Sequence, residues 1–191
     1  MGSVRELSYV ASDEGQREGA LKLHPFLDPL RRANMLDGSG MVDMFVDVHA
    51  RTVAFLFRVA DECPLSAVPG DALMLAISGC DEFYSSLSRG TRSRGNAVRY
   101  SHFEVWNERT ERYGYMIGCG DAEISLRGLY YSFYVLSMLC NCTDSECATG
   151  ADGGCGTSVF GFDQEASVVA YSVFDPRVER PSFEAMYGLE L

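Results

Sequence analysis

The sequence predicts a mainly β fold, an antiparallel β-sandwich or a strongly twisted sheet with short peripheral helices. Three observations carry that expectation. Apolar residues alternate with polar ones in several segments, the segments are short and evenly spaced, and turns containing Gly, Pro or Asn separate them. Roughly eight or nine such strands with little helix are enough for two packed layers.

Residues 1–20 are polar, contain Gly15 and Gly19 and lack an apolar period, so they read as a loose lead-in to a single β-rich domain at 21–191. In "HPFLDPLRRANML", Phe26, Leu27, Leu30 and Leu36 sit at near-helical spacing, while Pro25 and Pro29 favour a short turn over a long helix. From Met41 the period changes to two: Val42, Met44, Val46 and Val48 alternate with Asp43, Phe45 and Asp47, as in a half-buried strand. The run "RTVAFLFRV" follows after His49 and Ala50 only, which implies a hairpin. "DALMLAIS" is apolar almost throughout and reads as a central strand, continued by "CDEFYSSL" past Gly79. "AVRYSHFEVW", "RYGYMIGC", "AEISLRG" and "LYYSFYVLSML" then follow with the cadence of an antiparallel meander. "SVVAYSVF" gives a last strand before Asp175 and Pro176, and "RPSFEAMYGLEL" closes with a helical turn or more.

Composition narrows the function classes. Hydrophobic residues make up 47% of the 191, with 11 Phe and 10 Tyr, which is ample for a core without staples. Asp and Glu number 27 against 16 Lys and Arg, a formal charge of −11. A surface of that sign repels phosphate backbones and anionic lipid, so neither nucleic acid nor membrane is the expected partner. A basic protein is, because complementary charge speeds encounter and rejects wrong partners; the simpler use of the acidity is solubility. "MGSVRELSYV" has no export-signal pattern, and no run approaches the roughly 20 apolar residues of a membrane helix. A cytoplasmic location is expected. Thiols stay reduced there, and the seven cysteines, an odd number, cannot all pair.

No phosphate loop, dinucleotide fingerprint or nucleophile elbow is present. His24, His49 and His102 are the only histidines, and none has a neighbour in sequence that would orient it as a general base. His102 alternates with Tyr100 and Glu104 on one strand face. Asp81 and Glu82 are adjacent and so face opposite ways on a strand. No catalytic residues and no cofactor are expected. Arg89, Arg92, Arg94 and Arg99 form the one basic concentration, either an anion grip or a solvated loop. The Cys/Gly-rich loop 140–156 places Cys140, Cys142, Cys147 and Cys155 on a flexible segment. It supports one tetrahedral zinc, a loop of free thiols, or redox chemistry, and a zinc there would be structural because four thiolates leave no open position.

"DVHARTVAFLF", "GDALMLAISGCDEFY" and "RYGYMIGCGDAEISLRGLYYSFYV" together resemble small β-rich bacterial proteins, some of them immunity proteins that neutralise polymorphic toxins. The resemblance covers about half the chain. It implies a protein that binds a basic toxin domain and blocks it without chemistry. The expected partner-binding residues are Glu104, Trp106, Glu108 and Glu111, with the acidic run Asp144, Glu146 and Asp152. The alternative is a structural or adaptor subunit of a larger assembly, stapled by zinc through the 140–155 cysteines.

Overall fold

The computed structural model describes residues 2–9, 19–87, 96–107, 112–138 and 161–188. The chain opens with a short strand, β1 (Gly2–Ser3), and a brief helix, α1 (Val4–Ser8). Residues 2–9 are thus packed structure, a correction to the expected loose lead-in. Ser3 Oγ accepts the Glu6 N–H at 3.2 Å, and Glu6 Oε2 accepts the Ser3 N–H at 3.0 Å, which satisfies donors that a helix start leaves unpaired. Val4 and Leu7, on one side of the helix, are buried, a pattern too short to register as a period.

There follow β2 (Leu21–Lys22), a 3-10 turn (Pro25–Leu27), and the hairpin of β3 (Gly40–Asp47) and β4 (Thr52–Arg58). β5 (Ala72–Ser78), β6 (Glu82–Leu87), β7 (Val98–Asn107), β8 (Arg112–Cys119), β9 (Ala122–Arg127), β10 (Tyr130–Met138), β11 (Glu165–Phe174) and α2 (Phe183–Tyr187) complete the order. A seven-stranded sheet runs β1-β11-β10-β5-β4-β3, with β2 also on β11, and a four-stranded sheet runs β6-β9-β8-β7. All pairings within them are antiparallel except β2 with β11. The fold is mainly β with antiparallel sheets, one curled into a half-barrel, and only short helices.

The meander holds for β7, β8 and β9 and then breaks. β10 crosses to the large sheet between β5 and β11, and β6 takes the place beside β9. Burial explains the exchange. Tyr131, Phe133 and Val135 of β10 face one core and Tyr134 and Leu136 face another, so only a central position covers both sides. β4 and β5 are sandwiched likewise: Phe55, Phe57, Leu73, Leu75 and Ile77 belong to the core between the sheets, whereas Leu56 and Met74 pack with Val4, Leu7 and Phe162 on the outer side.

The two sheets meet through an aromatic hub. Phe103 of β7 lies 5.0 Å from the Tyr115 ring, 5.0 Å from Tyr131 and 4.9 Å from Phe174, centroid to centroid. At the far edge the alternation of β3 has a different outcome from a half-buried strand: Met44 and Val46 stay 44% and 46% exposed. They share a face with Phe55 and Val53 across the ladder, but β3 is the last strand of its sheet.

Candidate functional site

The outer face of the four-stranded sheet collects the polar and aromatic side chains that the sequence places on one side of β7. Phe103 points into the core, so the alternate residues Tyr100, His102 and Glu104 point away from it. Ladder pairing brings residues from the other strands beside them: His102 opposes Met116, Met116 opposes Ser125, and Ser125 opposes Tyr84. A parallel row joins Tyr100, Gly118, Glu123 and Ser86.

Two glycines in β8 shape this face. Gly118 opposes Tyr100 and Gly114 opposes Glu104, so the central strand offers no side chain at either point. The Tyr100 ring lies directly over Gly118, where an added Cβ would come within 2.3 Å of Cε1. Laid flat in that way, Tyr100 reaches across β8 and donates its hydroxyl to Glu123 Oε2 at 2.7 Å. Glu104, opposite Gly114, has Ser125 as a polar neighbour, which works to lower its carboxyl. Glu123 is therefore positioned before any partner arrives.

Burial sets the electrostatics. Partial desolvation, with the bond to Glu123 and the charge of Glu123 behind it, pushes the Tyr100 hydroxyl up to about 12. Burial also lowers His102, against the pull of Glu123, which favours a neutral ring. Glu104 is raised by burial and by Glu123, while the nearby Ser125 opposes the rise. Arg99, at the register shift between Val98 and Tyr100, places its guanidinium 5.5 Å from the Tyr100 centroid. Arg127 is held by Asp81 at 2.9 Å and by Glu82 at 2.7 Å. By the alternation of β8, Arg112 lies on this side with Gly114, Met116 and Gly118, so the face carries cations beside its carboxylates.

Of the expected contact residues, Glu104 belongs to this face. β7 runs through Trp106, where its register against β8 shifts again. Glu108, Glu111, Asp144, Glu146 and Asp152 lie outside the described residues, as do Cys140, Cys142, Cys147, Cys155, Arg89, Arg92 and Arg94. Sequence reasoning missed Glu123, Ser125 and Met116; the signal that pointed to them was the pair Gly114 and Gly118, four apart and hence on one face of β8.

The histidines are separated. His24 Nδ1 accepts the Phe26 N–H at 3.4 Å and its ring stacks on Phe26, whereas His49 sits exposed in the β3–β4 turn. Cys63, Cys80 and Cys119 are free thiols, each raised by burial away from the reactive thiolate form. Among the described residues no group of His, Cys, Asp and Glu is arranged to hold a metal ion, and no helix is long and apolar enough to cross a membrane. No family model matches this chain, and no curated protein matches it significantly.

Proposed function

We propose that this chain is a non-catalytic protein-binding protein of the immunity type, which inhibits a basic partner domain by covering it. The observation that carries this reading is a carboxylate held ready, Glu123 fixed by Tyr100, on a sheet face that also presents Glu104, His102 and Met116. A carboxylate already held in place loses little conformational freedom on binding, so more of the charge attraction survives as affinity. The chain's charge of −11 favours a cationic partner at longer range, and the resemblance of its sequence segments to immunity proteins implies inhibition rather than catalysis.

Native mass spectrometry of the protein purified from its own cells under reducing conditions tests the reading. A stoichiometric basic protein that is retained by the parent and lost from the double variant Glu104→Lys, Glu123→Lys is the expected result. A bound zinc that disappears on replacing Cys142, with no protein partner, would favour the zinc-stapled structural subunit instead. An association rate that does not change with salt would remove the electrostatic part of the proposal.

A further inference from the structure

The two sheets have four outer edges, and three are guarded. The outer edge of β11 carries β1 and β2. That of β7 is closed by the 34–39 segment: Asn34 N–H donates to Ser101 O at 2.6 Å, Gly38 N–H to Val98 O at 2.9 Å, and Val98 N–H to Ser39 O at 2.8 Å. β3 is stopped at its start by Met41 N–H donating to Asn96 O at 2.8 Å, then broken by an irregularity between Met41 and Asp43 and flanked by Asp43 and Asp47. Covers, bulges and edge charges are the usual devices against strand addition.

β6 has none of these among the described residues. It pairs with β9 on one side only, and its one charged residue, Glu82, is turned to Arg127 at 2.7 Å. Phe83 is 45% and Tyr84 59% exposed. Beside the strand opens a cleft of about 400 Å³, walled by Val46, Val48, Val53 and Phe83 and edged by Asp47 and Glu82.

We infer that β6 is a docking edge that takes an extended segment of a protein partner, one alternating apolar with Arg or Lys residues, as an added strand. Main-chain hydrogen bonds to β6 supply the affinity and alternate side chains the selectivity. Phe83 and Ser85 share the inner face with Leu126 and Ile124, so the apolar side chains of an added strand on that side enter the cleft. Tyr84 and Ser86 share the outer face with Ser125 and Glu123, so its cationic side chains extend the carboxylate surface described above. Asp47, Asp81 and Glu82 around the cleft outnumber Arg51 and Arg127, the latter paired with Asp81 and Glu82, and set the sign of the partner's charge. A second copy is the poorer occupant, because each copy carries −11. The basic character of the segment rests on the function proposed above; the open edge does not.

The test is nuclear magnetic resonance titration of the full chain with an acetylated, amidated hexapeptide of alternating valine and arginine. Perturbations confined to Glu82–Ser86 and to Val46 and Val53 are expected. Methylation of alternate peptide amides, replacement of arginine by glutamate, and Phe83→Arg in the protein should each weaken binding about tenfold or more. Phe83 is half exposed, so this variant folds, and the two altered peptides need no variant at all. Perturbation of Tyr100, His102 and Glu104 with β6 unaffected would overturn edge docking and leave the acidic face as the partner site. Equal binding of the valine–glutamate peptide would overturn the charge assignment, and with it the basic partner. Concentration-dependent changes in β6 without peptide would make a second copy the occupant, and silence at millimolar peptide would end the inference.

Discussion

Two aspartates, Asp28 buried and Asp37 half-buried, show how differently one side chain behaves with and without partners. Asp28, 1% exposed, accepts the Leu30 N–H at Oδ1 and both Arg31 and the Ser172 hydroxyl at Oδ2, tying the segment before β3 to β11. Asp28→Ala removes the acceptor of the Ser172 hydroxyl and one of the two carboxylates of Arg31, which keeps Glu179 at 2.9 Å. The expected loss is about 2 kcal/mol, and a urea midpoint lowered at constant slope would show it. Asp37 is the reverse case: its Oδ1 is buried with no hydrogen-bond partner, and burial pushes the carboxyl up to about 6. Because the folded state then binds the proton more tightly than the unfolded one, Asp37 contributes fully in acid, and its contribution is lost as pH rises from the ordinary carboxylate value through about 6. Asp37→Asn should therefore gain on the parent between about pH 4 and about pH 6, and hold that gain above it, in parallel denaturant series. Superimposable pH profiles for the two would contradict the assignment. His102, lowered by burial, acts oppositely and weakens the fold as pH falls below the ordinary histidine value, which is why the difference between variant and parent is the quantity to measure.

At the scale of elements, the outer face of the four-stranded sheet depends on what β8 omits. Gly118→Ala drives a Cβ into the Tyr100 ring, which must lift and release Glu123. A cost of about 1–3 kcal/mol is expected, with partner affinity falling in step; Tyr100→Phe should keep the packing and lose only the tether. A Gly118→Ala variant of unchanged stability and affinity would mean that the ring is free to move aside. The alternation of Tyr100, His102 and Glu104 was legible because it lies within one strand and needs only a period of two. Glu123 and Ser125 were not, since they arrive from two strands away and their register is fixed by long-range pairing. The positions of β3 to β11 were readable, because each combines β-branched or aromatic residues with a turn on either side; β1 and β2, two residues each, were not. Their neighbours were readable only where the connection is short, as in the β3–β4 hairpin. The placing of β10 needed the burial of both its faces, and the packing of α1 rested on Val4 and Leu7 alone.

Across the whole molecule, the two sheets share the ring cluster around Phe103, so they are expected to unfold together. Phe103→Ala opens a cavity touching Tyr115 of the small sheet and Tyr131 and Phe174 of the large one, at an expected cost of about 3–5 kcal/mol. Loss of both sheets in a single transition, followed by far-ultraviolet dichroism and tyrosine fluorescence together, would support the shared core. Two separate transitions would show independent layers. The crossing of β10 also bears on how the chain is made. Emerging from the ribosome, β3, β4 and β5 form an apolar three-stranded sheet well before β10 is synthesised, an interval of roughly 3–10 s at the usual rate of elongation. During that time the flank of β5 is an exposed template for aggregation. Nascent chains ending between β6 and β9 are thus expected to be the stage most prone to aggregate, and pairing of β10 with β5 to end that exposure.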